Sequence, residues 1–268
     1  MNKLLWSYIM VLLMLSSCSV KKFIPEGETL YVGSELELEG ATDVPGMKSV
    51  VSDLEAAIRP KPNSTILGMR LGLYVHFKAQ REKPGFLNKF LNKRIGEKPV
   101  YESAVNTTET EKILLNRLEN RGFFMSEASS EIIRKEKKKQ AGVVYTLQVA
   151  QPYLMEKLEI DRDSLEIYNA IEALMNETLL QPESRFELSL LKKERERIDI
   201  KLKTEGYYNF NSEFLIFESD TSRYDSRKFD LYLRLKRETP SESVVPYVIK
   251  KINVYPNYVI ENDSITQT

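Results

Sequence analysis

The chain is poor in the residues that carry most site chemistry. Its 268 residues include one Cys and one His. That leaves no thiol pair for redox work or a disulfide, no Cys/His zinc set and no two-histidine metal face. His76 stands alone, which excludes a Ser-His-Asp constellation. Neither a GxGxxG nor a GxxxxGKS/T phosphate loop occurs. Neither sign of charge is in excess, since Lys+Arg and Asp+Glu are 39 each, so no global field selects nucleic acid or anionic lipid. Glu35, Glu37 and Glu39 fall on the polar side of an alternating stretch. Asp161-Arg162-Asp163-Ser164 lacks the Gly and closing Glu of a calcium loop and reads as a strand end followed by a helix cap. The expectation is a non-enzyme that uses no metal and no cofactor.

What is present is a repeat. Residues 116–124 and 200–208 share one plan: an amphipathic helix runs to a Gly, and paired aromatics start the next segment. Gly122 follows Leu118 and Leu114 at four and eight positions; Gly206 follows Leu202 and Ile198 at the same distances. Both glycines are read as structural turns with a left-handed cap.

The first 17 residues read as a signal peptide. Lys3 supplies the positive charge, and residues 4–15 are an apolar run of about a dozen residues, too short to span a bilayer core. The run ends Leu15-Ser16-Ser17-Cys18, which resembles a bacterial lipobox, with lipidation at Cys18 and a tether over 18–28. A plain signal peptide with an incidental Cys is the other reading. Acyl chains anchor by about 0.8 kcal/mol per buried CH2, without a spanning helix.

The remainder is expected to be α+β, in tandem β-α-α-β-β units, each a small three-stranded sheet with two helices on one face. The first covers 29–151. A strand over 30–39 alternates around Leu36 and Leu38. A helix over 48–59 places Val50, Val51, Leu54, Ala57 and Ile58 in one stripe and stops at Pro60 and Pro62. An insert occupies 60–106. Its 66–77 stretch is rich in β-formers but broken by Gly68 and Gly72. Between 78 and 98, Lys78, Arg81, Lys83, Lys89, Lys93, Arg94 and Lys98 face only Glu82 and Glu97. With Phe86, Leu87, Phe90 and Leu91 among them, this stretch either lies on a membrane surface or phosphates, or packs its apolar side on its own domain; the second is the simpler expectation. Thr108 and Glu111 have capping-box spacing before the second helix. Strands over 123–134 and 141–150 follow, around a solvated tip at 135–140, with Val143, Tyr145, Leu147 and Val149 on one face.

The second unit, 152–238, repeats this without an insert. A strand spans 153–161, and a helix carries apolar residues at 167, 168, 171, 174 and 175, capped by Asp163 or Ser164. Ser184 and Glu187 offer a second capping box before a helix striped by Leu188, Leu191, Ile198 and Leu202. Strands over 209–218 and 228–236 close it, with Phe229, Leu231, Leu233 and Leu235 mirroring the earlier set. After a linker, residues 247–254 copy 153–160, so 246–268 is expected to hold the first strand of a third unit. An amphipathic strand with nothing to pair against buries no face, so 250–268 is expected to be poorly ordered in isolation.

A lipobox followed by tandem β-α-α-β-β units with Gly-aromatic-aromatic turns resembles POTRA domains. More narrowly, the chain resembles the translocation and assembly module lipoproteins (TamL), in the BamA/TamA (Omp85, surface antigen D15) superfamily. The residues that carry this are Leu15 to Cys18, Arg59 to Asn63 with Ile66 to Gly68, Gly96 to Val100, the Gly122 and Gly206 turns, the strand starts Tyr153 and Tyr247, and Val254 to Asn257. The resemblance implies a periplasm-facing module, anchored at the outer membrane through Cys18, that assists outer-membrane protein assembly. Its partners would be unfolded outer-membrane protein segments, membrane lipid, and a β-barrel or other assembly proteins, with no nucleic acid. A barrel needs at least about eight strands of roughly ten residues, and no room remains for one. The 268 residues are therefore expected to be the leading part of a longer design.

The resemblance places the middle strand at a sheet edge, where an extended client segment adds by backbone hydrogen bonds. The residues implied are Met125, Glu127, Ser129 and Glu131 in the first unit, and Asn209, Asn211, Glu213 and Leu215 in the second. The other reading of these edges is that they are short and protected. A competing function of a different class is an envelope lipoprotein adaptor or small-ligand binder using the insert.

Overall fold

The computed structural model describes residues 20–254, and Cys18, the leader and residues 255–268 of the expected third unit lie outside them. The chain divides into two compact units at residues 153 and 154. The first contains β1 (Leu30–Gly40), α1 (Met47–Ala57), α2 (Leu71–Ala79), α3 (Phe86–Ile95), α4 (Thr107–Glu119), β2 (Glu127–Lys135) and β3 (Gln140–Val149). The second contains β4 (Leu154–Ile160), α5 (Ile167–Leu174), α6 (Leu188–Thr204), β5 (Leu215–Asp220) and β6 (Lys228–Leu235).

Each unit has one three-stranded sheet with the last strand in the centre, in the orders β1-β3-β2 and β4-β6-β5. The central strand pairs in parallel with the first and antiparallel with the middle one. The fold is thus α+β, with β-α-α-β-β order in both units and α2–α3 inserted in the first. The alternation that predicts the central strands is kept: Val143, Tyr145, Leu147 and Val149, and Phe229, Leu231, Leu233 and Leu235, are all buried. In the first unit these residues meet Val50, Leu54 and Ile58 at α1, and Leu114 and Leu118 from α4. In the second, Ile167, Tyr168, Ile171 and Leu174 of α5 and Ile198 and Leu202 of α6 close over the sheet.

The two glycine turns are the same device at atomic level. Phe123 N–H donates to Leu118 O and Gly122 N–H to Glu119 O; Tyr207 N–H donates to Leu202 O and Gly206 N–H to Lys203 O. This is the Schellman pattern, six-to-one and five-to-two, with Gly at φ 86° and 99°. The apolar pair that accompanies such a cap is also present, Phe123 with Leu118 and Tyr207 with Leu202, all four buried.

Several expectations are corrected. The start of the second helix is not capped by Thr108: the cap is Asn106, two residues earlier, whose Oδ1 accepts Glu109 N–H at 3.0 Å. Ser184 donates to Gln181 O rather than capping α6, which begins after Glu187 with no side-chain cap. Asp163 accepts Leu165 N–H at 2.8 Å, an Asx turn ahead of α5. The stretch rich in β-formers forms a tight turn at Ile66 and Met69 and then α2, because bridging partners exist only within the turn itself. Residues 247–254 form no strand: among the described residues they find no ladder partner, and Val248, Ile249, Ile252 and Val254 stand exposed.

The expected tether is also partly folded. Val20 and Ile24 are buried with Leu30 and Leu73 in a small separate core. Phe23 stacks on Phe77 of α2, ring centroids 5.4 Å apart. Lys139 Nζ donates to Ile24 O at 3.2 Å, so one lysine of the expected solvated tip holds the N-terminal segment instead.

Candidate functional site

A sheet edge can accept a strand only if its outer backbone groups are unpaired. The first strands are partly covered at their beginnings. Leu30 bridges Tyr101 and Leu154 bridges Arg185, in each case to the segment just before the second helix. Tyr31 N–H is further bonded to Val100 O at 2.9 Å. Among the described residues, nothing pairs with the outer side of β2 or β5. The middle strands are therefore open along their whole length, the first strands only past their starts.

The β2 edge is long, nine residues, and its two parities are clearly divided. Ala128 and Ile132 pack on the core under α4, and Ser130 Oγ bonds Glu111. Glu127, Ser129 and Glu131 face solvent in one row. Met125 does not belong to the strand. The segment before Glu127 is still the turn that follows the Gly122 cap, where Ser126 Oγ donates to Phe123 O and accepts Ala150 N–H at 3.1 Å. Met125 is 68% exposed just ahead of the edge.

The second unit brings fewer of its expected residues together. β5 has six residues and begins at Leu215, which is buried. Asn209, Asn211 and Glu213 lie before it. Asn211 Oδ1 accepts Glu213 N–H at 2.8 Å and opens the turn Ser212–Phe214. An Asn that bonds the backbone two residues on offers the chain a turn in place of a ladder, and Phe210 buried beside it holds that turn down. Only Leu215 of that set is in a strand, and its side chain serves the core.

The outward faces of the two sheets differ more than their topology suggests. In the first, register sets Glu39, Gln148 and Glu127 in one row across the strands, then Glu37, Thr146 and Ser129, then Glu35, Val144 and Glu131. Five glutamates thus surround the polar centre of one face. In the second, Lys157, Asp230 and Asp220 form one row and Glu159, Tyr232 and Glu218 another. Its charges are paired: Arg234 with Glu218, and Lys157 with Glu159 at 2.5 Å. Asp230 is fully buried there, accepting from Tyr224 Oη at 2.5 Å and from Arg223 at 3.2 Å. That bond pushes the Tyr224 phenol up to about 12.

A residue that sequence reasoning missed is Glu194. It occupies a stripe position between Leu191 and Ile198 on α6 and is fully buried. Its carboxylate accepts Thr178 Oγ1 at 2.8 Å, Leu179 N–H at 3.1 Å, and Arg197 Nε and Nη2 at 2.9 and 2.7 Å. Arg197 also donates to Leu174 O at 3.0 Å. Burial works to raise the carboxyl, but these donors outweigh it and hold Glu194 below the ordinary carboxylate range. Every partner belongs to the joint between α5 and α6, so the group is structural. An acidic residue at an apolar-stripe position with Arg three residues on was the signal available.

His76 sits half-buried on α2, its ring edge-on to Phe77 at 6.0 Å. No group of three potential metal-ligating side chains forms among the described residues. No helix of the described residues is long and apolar enough to cross a membrane. An open hollow of about 550 Å3 lies beside Asp161, Arg162, Tyr168 and Arg234, where Arg162 is paired with Glu172 and Arg234 with Glu218.

No family model matches the chain, and no curated protein does. Solved structures similar to it include BamA from Haemophilus ducreyi lacking POTRA domains 1-3, at 14% identity over 48% of this chain, TM-score 0.33. This chain spans 22% of that one. Haemophilus influenzae BamA POTRA3-5 is 14% identical over 80% of this chain and 99% of its own, TM-score 0.31. POTRA1-2 of the periplasmic domain of Omp85 from Anabaena is 13% identical over 78% and 96%, TM-score 0.34. With scores this low the fold assignment rests on strand order and register, not on these overlaps.

Proposed function

We propose that the chain is a periplasm-facing POTRA-like module of an outer-membrane assembly lipoprotein of the TamL kind, anchored through Cys18. In this reading it holds extended client or partner segments by adding them as a strand to β2. The observation that carries the reading is the open nine-residue edge of β2 beside starts of β1 and β4 that are already bridged. Backbone pairing gives affinity, while small side chains at Ala128, Ser129 and Ser130 impose little sequence preference, as a carrier of many clients requires. The lipid partner is the outer membrane, and the clients are unfolded outer-membrane protein segments. β5, shorter and begun by a core residue, is the weaker edge.

The test uses two neighbouring prolines. Successive residues in a strand direct their N–H groups to opposite edges, so one of Ser129→Pro and Ser130→Pro removes an outward donor and leaves the β3 ladder whole. That variant, identified by unchanged circular dichroism, is expected to lose crosslinking to an unfolded barrel protein. Full crosslinking in that folded variant sinks the edge mechanism.

A further inference from the structure

We infer that the α2–α3 hairpin lies on an anionic phospholipid surface, with Phe86, Leu87 and Phe90 set among the headgroups. The packing reading of the insert does not describe α3. A helix of a globular domain hides its apolar stripe, yet Phe86 is 85% exposed, Leu87 65% and Phe90 48%. No residue of α3 is buried. Phe86 and Phe90 stack one turn apart, centroids 6.5 Å, and the Arg94 guanidinium lies 5.7 Å from the Phe90 ring centre.

Charge selects the occupant. Lys89, Lys93 and Arg94 are all exposed on α3 beside these rings. Of the two glutamates between 78 and 98, Glu97 is turned inward. It accepts Ser64 N–H at 2.8 Å and Asn63 Nδ2 at 3.2 Å, and the Ser64 hydroxyl above all holds it below the ordinary carboxylate range. Exposed aromatics flanked by several cations are what an interfacial helix presents to anionic lipid. A protein partner fits less well, because the centres of protein interfaces are depleted in Lys. The outward sheet face, with Glu35, Glu37, Glu39, Glu127 and Glu131, is repelled by the same surface.

The hairpin is held firmly enough to present that face. The start of α2 touches the end of α3 so closely that a Cβ at Gly72 would meet Ile95 O at 2.6 Å, and Glu97 N–H donates to Gly72 O at 3.1 Å. On its inner side, α2 packs Leu73 against Val20 and Ile24. Cys18 precedes Val20 by two residues, at most about 7 Å of chain, so a lipid on Cys18 and the hairpin would bring the same end of the unit to a bilayer. The inference does not require that lipid and stands apart from strand capture.

The test uses the full chain with Cys18→Ser and Leu87→Cys as the single thiol, labelled with an environment-sensitive fluorophore. Vesicles of phosphatidylethanolamine with about 30% phosphatidylglycerol are expected to shift its emission to the blue, less so at high salt. Phe86→Glu with Phe90→Glu is expected to weaken that response at least about tenfold. The substituted side chains are exposed, and circular dichroism checks that the fold is kept. The same label at Lys192→Cys, far from α3 in sequence and in the second unit, separates the hairpin from adsorption through the leader and is expected not to shift. No shift at position 87, or an equal one with neutral phosphatidylcholine vesicles, overturns the inference. So does a shift that needs no vesicles but grows with protein concentration, which marks a second copy, or one produced only by an unfolded barrel protein.

Discussion

At the scale of the residue, the two repeated glycines receive the same backbone contact. Both adopt the left-handed backbone of a Schellman cap, where an L side chain is strained by about 1 kcal/mol. Gly206 is also approached by the chain that follows the second unit. Tyr247 N–H donates to Gly206 O at 2.7 Å, and a Cβ at Gly206 would meet Tyr247 O at 2.8 Å. Tyr153 N–H likewise donates to Gly122 O at 2.9 Å, so the turn that ends each second helix also receives the tyrosine that follows the unit. Gly206→Ala should release that contact as well as strain the cap, measured as a loss of about 1–2 kcal/mol by urea unfolding. Gly206→Val should cost more, because a branched side chain suits neither the φ nor the space.

Glu194 supports a second prediction at this scale. Its folded pKa lies below its unfolded one, so its contribution is present above the unfolded value of about 4.3 and is lost as pH falls through the folded pKa. Glu194→Ala should destabilise the second unit by about 3 kcal/mol at pH 7, since Arg197, Thr178 and Leu179 N–H lose a buried acceptor. The gap between variant and parent should narrow below about pH 4, read from thermal melts across that range. A gap that stays constant to pH 3 would show that the carboxylate charge is not what matters.

At the scale of the element, the repeats were legible where a period of two or of about four speaks for itself. The central strands and the stripes of α1 and α5 came out in the register that their alternation requires. Starts were less legible. Asn106, not Thr108, caps α4, since several Ser, Thr and Asn in a row all have capping chemistry and only the path of the incoming chain selects one. Asn106→Ala should therefore cost about 1 kcal/mol and Thr108→Ala much less, compared by denaturant melts of each single variant. The middle strands were overextended for a related reason. β-propensity at Phe123, Phe124, Tyr207 and Tyr208 suggests strand, but the aromatics directly after the glycines close the caps, and the ladder starts later.

At the scale of the whole molecule, two cores of similar make-up lie in two units. Each contains every strand of its own sheet, so residues 20–153 and 154–254 should each fold when expressed alone. Dispersed amide spectra from both fragments would show it, and a spectrum without dispersion from either would mean that the unit needs its neighbour. The chemical difference between the units lies on their surfaces. The first carries an acidic sheet face and a basic, apolar hairpin; the second pairs its sheet-face charges with each other.

By itself the sequence determined the α+β class, the order of elements, the repeat and its glycine turns, and the poverty of catalytic side chains. Those follow from spacing within a dozen or so residues, which a chain carries wherever it goes. Only tertiary structure decided that the start of β1 is bridged while β2 is open along its length, that Glu194 is buried, that Val20 and Ile24 are packed and not part of a loose tether, and that α3 turns its aromatics to solvent. Each of these depends on which distant segment arrives to cover a face or an edge. A helix with one apolar stripe reads the same whether the stripe is hidden or displayed; what differs is the partner, and for α3 the described residues leave Phe86 and Leu87 mostly uncovered.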